Sequence, residues 1–149
     1  MIATGDFDGD GKCDMLWKNS FLGADGKVYN AYCSWIVENP IDWRMVSVAN
    51  PEEWNFLCSG DFDGDGTGDI AMINAEGVVG IWGMSDGWLS SWSILSKVDT
   101  AEWSLVGVAD LNGDGTDDIA WRSAGSGIAG YWQINDKKMT DWQTVSTIA

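Results

Sequence analysis

The sequence has no histidine, two prolines and 8 basic residues against 23 acidic ones. Without histidine there is no Ser-His or Cys-His couple, the usual route to an activated nucleophile. A net charge of −15 repels phosphate backbones and anionic lipid, so nucleic acid is not an expected partner. No apolar run reaches the roughly 18 residues of a membrane-spanning helix, so no membrane insertion is expected. The opening residues Met1 to Asp6 show no basic n-region and no apolar h-region, so no signal peptide is read in this chain. Cysteine is sparse and odd in number. Cys13, Cys33 and Cys58 match no zinc spacing; they read as free thiols, or as one disulfide plus a free thiol.

What is abundant is tryptophan, aspartate and glycine. The 149 residues include 11 Trp and are 45% hydrophobic, enough to build the core of one ordinary domain. They are arranged as a repeat. Gly5-Asp6-Phe7-Asp8-Gly9-Asp10-Gly11 recurs as Gly60-Asp61-Phe62-Asp63-Gly64-Asp65-Gly66. It recurs again as Ala109-Asp110-Leu111-Asn112-Gly113-Asp114-Gly115. The tryptophans keep the same register: Trp35, Trp82 and Trp132 form one column, Trp43, Trp92 and Trp142 a second, Trp54 and Trp103 a third, and Trp17 and Trp121 a fourth with Met72 between them. The repeats divide the chain at about 1–53, 54–102 and 103–149, a period in the range of propeller blades of about four short strands. Residues that recur in this way are expected to be structural, and the repeat tryptophans are expected to pack blade against blade.

Short β-branched and aromatic segments bounded by Gly, Asn, Asp and Ser give the strand signals. Leu105–Ala109 runs into the third acidic loop and Asp118–Trp121 runs out of it; Gly80–Met84 and Trp92–Leu95 follow the second. No sustained helical period appears. The first repeat is longer, and its surplus, Ser20 to Asn30, predicts an extended hairpin with an Asp25-Gly26 turn.

The acidic loops carry the chemistry. Each fits Asp-x-Asp/Asn-x-Asp-Gly-x-x-Asp: Asp6, Asp8, Asp10 and Asp14; Asp61, Asp63, Asp65 and Asp69; Asp110, Asn112, Asp114 and Asp118. Calcium takes 6 to 8 oxygens in flexible geometry. Oxygens at loop positions 1, 3 and 5 can point inward, a carbonyl at position 7 (Lys12, Thr67, Thr116) can add another, and the position 9 carboxylate closes the cage. Glycine at position 6 permits the sharp turn. Clustered carboxylates without a cation repel one another and raise each other's pKa. An EF-hand is excluded, because position 12 is Trp17, Met72 or Trp121 rather than Glu and the flanks read as strands. Magnesium, with its strict octahedral geometry, fits less well. Two plainer readings stand beside this one: Asp/Gly-rich turns with no metal, and a calcium ion that only clamps each hairpin.

At these residues the sequence resembles the FG-GAP/VCBS repeat family, the calcium-loop propeller blades also found in integrin α-subunit heads. The resemblance covers essentially the whole chain, with Asn112 in place of an Asp as its small departure. It implies an all-β fold of three four-stranded propeller blades, calcium in a loop of each blade (about three ions per chain), and a secreted or cell-surface setting with a glycan or protein ligand. Such propellers usually close with about seven blades. Three cannot close alone, so the chain is expected to be a segment of a longer propeller, or half of a six-bladed ring made by head-to-tail association.

Candidate ligand-contacting aromatics are Trp88, after the Asp86-Gly87 turn, and Phe21, Tyr29 and Tyr32 in or beside the long hairpin. The plain alternatives are an isolated surface Trp and packing on the neighbouring blade. Catalysis has little to stand on, since 11 of the 23 acids already sit in the loops, and no enzymatic activity is expected. The functional expectation is a calcium-binding module acting in extracellular binding or adhesion. The alternatives are a structural assembly scaffold, or an accessory propeller of a polysaccharide-active enzyme.

Overall fold

The computed structural model describes residues 1–38 and 40–147. It is all-β: twelve strands form three four-stranded antiparallel sheets, with no helix among the described residues. The first sheet is β1 (Ala3–Gly5), β2 (Asp14–Leu22), β3 (Val28–Ile36) and β4 (Asp42–Ala49). The second is β5 (Asn55–Gly60), β6 (Asp69–Ile73), β7 (Val78–Ser85) and β8 (Trp88–Lys97). The third is β9 (Trp103–Ala109), β10 (Asp118–Ser123), β11 (Ile128–Asn135) and β12 (Lys138–Thr147). In each sheet the strands pair in sequence order, and the acidic loop joins the first strand to the second. The four segments read as strands fall inside β9, β10, β7 and β8. The long hairpin is present as β2–β3, and Gly26 turns it at φ +80°.

Register is fixed by the tryptophans. Trp35 pairs with Trp43, Trp82 with Trp92 and Trp132 with Trp142, directly across β3–β4, β7–β8 and β11–β12. Cross-strand partners share a face and contribute about 0.2–1 kcal/mol each. A bulge recurs at one repeat position, Tyr32/Cys33, Val79/Gly80 and Ala129/Gly130. The links between sheets repeat as well. Trp54 N–H donates to Asn50 C=O and Trp103 N–H to Asp99 C=O, both at 2.8 Å. The Asn50 and Asp99 side chains accept from Glu52 N–H and Ala101 N–H.

The core consists of two clusters, one between each pair of neighbouring sheets. Ile70, Met72, Trp82 and Met84 of the second sheet pack on Phe7, Leu16, Tyr32 and Val46 of the first. Ile119, Trp121, Trp132 and Ile134 of the third sheet pack on Phe62, Ala71, Val79 and Leu95 of the second. The two interfaces use the same repeat positions.

This arrangement corrects the expectation that the repeat tryptophans are core. Trp82, Trp121 and Trp132 are buried, but Trp35, Trp43 and Trp92 are exposed and Trp54, Trp103 and Trp142 are half-buried. A column position sets which face a tryptophan occupies, whereas burial depends on what covers that place: Trp35 has no sheet in front of it, and Trp43 and Trp92 stand on the edge strands β4 and β8.

All three cysteines are free thiols, in graded environments: Cys13 exposed, Cys33 half-buried, Cys58 buried. Burial raises the Cys33 thiol and pushes Cys58 up to about 12, so little thiolate exists there at neutral pH. A maleimide time course followed by mass spectrometry should label Cys58 only on unfolding, after Cys13 and Cys33.

Candidate metal centres

Each loop is organised around its first aspartate. Asp6 accepts Gly9 N–H and Asp10 N–H on Oδ1 and Gly11 N–H on Oδ2. Asp61 accepts Gly64 N–H and Gly66 N–H, and Asp110 accepts Gly113, Asp114 and Gly115 N–H. The glycine at position 6 sits at positive φ in every copy, +85°, +86° and +90°. There a side chain would be strained. Position 5 then caps position 7, as Asp10, Asp65 and Asp114 accept from Lys12, Thr67 and Thr116 N–H at 2.7–2.9 Å.

The loops gather carboxylates. Oxygens of Asp6, Asp8 and Asp10 lie within 4.8 Å of one another, and so do those of Asp61, Asp63 and Asp69. The third loop has Asn112 at position 3, whose amide donates to Asp114 Oδ2 at 2.9 Å and whose oxygen accepts Asp114 N–H at 2.8 Å. Its acids Asp110 and Asp114 flank an amide instead of a third carboxylate.

The donor set fits a hard cation. Asp63 Oδ1 is buried without a hydrogen-bond partner, an exception that calls for a reason, and it belongs to the second carboxylate group. Desolvation raises Asp8, with Asp14, Asp10 and Asp6 adding repulsion. Lysine supplies positive charge at two loops: Lys12 pairs with Asp10 and lowers it, and Lys137, reaching across from the third sheet, pairs with Asp63.

The position 9 aspartates have a further role that their spacing did not announce. Asp14, Asp69 and Asp118 are buried, and each bridges two backbone donors. One oxygen accepts from the loop (Phe7, Phe62 or Leu111 N–H, 3.0–3.2 Å). The other accepts from the third strand's end (Val37, Met84 or Ile134 N–H, 2.8–3.0 Å). Burial pushes the Asp69 carboxyl up to about 7 and raises Asp118, against these backbone bonds.

Among the candidate aromatics, Trp88 and Phe21 are exposed, and Phe21 stacks on Tyr29 at 5.9 Å between ring centroids. Tyr32 is fully buried, edge-on to Trp82 of the second sheet at 5.4 Å. Tyr32 packs on the neighbouring sheet and leaves no ring face open to a ligand.

Two tryptophan clefts went unread in the sequence. One, of about 520 Å³, lies between the first and second sheets and is lined by Tyr29, Asn50, Glu53, Trp54, Trp82 and Trp92. The other, of about 220 Å³, lies between the second and third and is lined by Lys97, Asp99, Trp103, Trp121, Trp132 and Trp142. Trp54 and Trp103 stand edge-on to Trp92 and Trp142 at 4.9 and 5.1 Å. The third tryptophan column next to Asn50 and Asp99 was the available signal, but which sheet it faces is settled only by the fold.

The repeated acidic loops and the three four-stranded sheets are compatible with blade-like repeats. Residues 61–121 match the family model described as FG-GAP-like repeat. That stretch, from the second loop through the third, carries an FG-GAP-like repeat, in keeping with the resemblance drawn from the motifs. FG-GAP repeats are typically non-catalytic and often bind calcium. No curated protein and no solved structure matches the chain.

Proposed function

We propose that the chain is a calcium-binding β-propeller module that acts outside the cell in binding or adhesion, with a glycan or protein ligand. The observation that carries the calcium reading is the inward carboxylate group at loop position 1 and its neighbours, with the buried, unpartnered Asp63 Oδ1 in the second copy. Asp6, Asp8, Asp10 and Asp14 would hold one ion, Asp61, Asp63, Asp65 and Asp69 a second, and Asp110, Asn112, Asp114 and Asp118 a third, with the carbonyls of Lys12, Thr67 and Thr116. A bound ion supplies positive charge to acids that otherwise repel. Millimolar extracellular calcium fills even weak sites, and the net charge of −15 suits that setting.

The ligand reading rests on the two clefts. Each presents edge-to-face indoles beside polar rim groups, Asn50 and Glu53 in one and Lys97 and Asp99 in the other. An indole offers a rigid apolar face and the rim offers hydrogen bonds, a combination suited to a hydroxyl-bearing ring.

Calcium bound only to the folded state stabilises by mass action, about 2.7 kcal/mol per site at 100 times Kd. Melting of the EDTA-stripped chain should therefore shift upward with millimolar calcium and much less with magnesium. Asp63→Asn, which gives the second loop the Asn that the third carries at Asn112, should weaken that site and shrink the calcium shift by part of one site's share. Equal shifts with both metals, or none, would remove the calcium reading. Titration with polysaccharides, followed by tryptophan fluorescence, tests the clefts separately: Trp92→Ala should abolish any response that arises there.

A further inference from the structure

We propose that the third sheet of one chain is an interaction surface for the first sheet of a second copy, docked head-to-tail, with the reciprocal contact closing a pair. The argument is continuity with the two interfaces inside the chain. There, a sheet's outgoing face, headed by Phe7 or Phe62, receives four incoming residues of the next sheet. The incoming set is Ile70, Met72, Trp82 and Met84, or Ile119, Trp121, Trp132 and Ile134.

Both faces recur at the ends of the array, uncovered. On the third sheet, Leu111 is 47% exposed where Phe7 and Phe62 are 0%, and Val145 is 67% exposed where Val46 and Leu95 are 6% and 9%. On the first sheet, Val37 is 37% exposed where Met84 and Ile134 are 1% and 0%, and Trp35 is 38% where Trp82 and Trp132 are 8% and 6%. Each uncovered face is thus half of a core whose other half this chain carries at its opposite end. Obligate subunit interfaces have this character of a divided core, and a contact between unlike faces is the heterologous kind, which closes when the rotation allows. Six sheets fall within the roughly four to eight that close a propeller.

The backbone seam carries over in part. Gly68 N–H donates to Asp6 C=O at 2.5 Å and Asp117 N–H to Asp61 C=O at 2.6 Å. The corresponding donor on the first sheet is Cys13 N–H, and the corresponding acceptor on the third is Asp110 C=O. A second bond joins Gly87 N–H to Phe7 C=O and Lys137 N–H to Phe62 C=O. It has no counterpart, because the first repeat is two residues shorter between its paired tryptophans.

The register supplies its own test. A Cβ added at Gly60 would lie 3.1 Å from Asp117 Cβ, near the separation that a disulfide bridges. The equivalent positions across two copies are Ala109 and the native, exposed Cys13. The wild-type 149-residue chain should show twice its 16.2 kDa mass by light scattering, with calcium and in EDTA. Ala109→Cys, mildly oxidised, should give a reducible dimer joined through Cys13 and position 109, and Cys13→Ser should abolish that link. Leu111→Asp, at a position exposed in the single chain, should restore monomer mass with unchanged circular dichroism. Monomer mass for the wild-type chain, a dimer indifferent to Leu111→Asp, a ladder of higher multiples, or cross-links through Cys13 alone would each overturn the proposal. None of these readouts depends on the calcium reading.

Discussion

Asp69→Ala should lower the unfolding free energy by about 3–5 kcal/mol, because it strands two buried backbone donors at once. Phe62 N–H and Met84 N–H both bond to Asp69, which is 0% exposed. These two donors lie in the acidic loop and the third strand of one sheet, so their loss separates the loop from its sheet. A domain of this kind has about 5–15 kcal/mol in total, so the variant sits near the edge of folding. Asp69→Asn should cost less, since its amide oxygen still accepts one of the two bonds while its NH₂ faces the other donor. Asp118→Ala should behave like Asp69→Ala, through Leu111 and Ile134 N–H. Urea unfolding followed by tryptophan fluorescence measures all three. A loss below about 1 kcal/mol for Asp69→Ala would mean that water replaces the carboxylate, contrary to the burial described.

The second large effect is expected at Gly130. Its Cβ would fall 2.8 Å from Trp142 Cη2 and collide with the Gln143 carbonyl as well; at Gly80 the Cβ would fall 2.6 Å from Trp92 Cζ2. Both glycines exist to let an indole lie flat across the bulged strand, and neither is at positive φ. Gly130→Ala should cost about 1–3 kcal/mol by overpacking and swing Trp142 outward, with a red-shifted emission. The chain already contains a natural comparison. The first sheet has Cys33 at this position, and its Trp43 is 61% exposed against 43% for Trp92. An unshifted spectrum and an unchanged unfolding midpoint would show that the strand yields instead of the ring.

What could be read in the sequence was whatever one residue type announces wherever it stands. Glycine at loop position 6 marks a positive φ, aspartates at positions 1, 3 and 5 mark a loop of inward oxygens, and repeated tryptophans mark a register; these placed the loops, the strands and the paired columns. What could not be read depends on a neighbouring sheet. Trp82 and Trp35 are the same column residue, one covered and one exposed, because only Trp82 has a sheet in front of it. Tyr32 looked like a hairpin aromatic but points at Trp82. Asp14, Asp69 and Asp118 share a spacing that serves equally for a ligand or for a carboxylate accepting two backbone bonds, and only the fold brings Val37, Met84 and Ile134 N–H to them. The clefts needed residues about 50 apart to meet across a boundary between sheets.

The central claim is calcium at the acidic loops, and calorimetric titration of the EDTA-stripped chain tests it most directly. The account predicts about three calcium ions per chain, with the third loop weakest because Asn112 replaces a carboxylate, and with the second site in Asp63→Asn weakened to about the level of the third. No heat and no uptake at millimolar calcium would contradict it, leaving the loops as aspartate-organised turns held by their own backbone bonds.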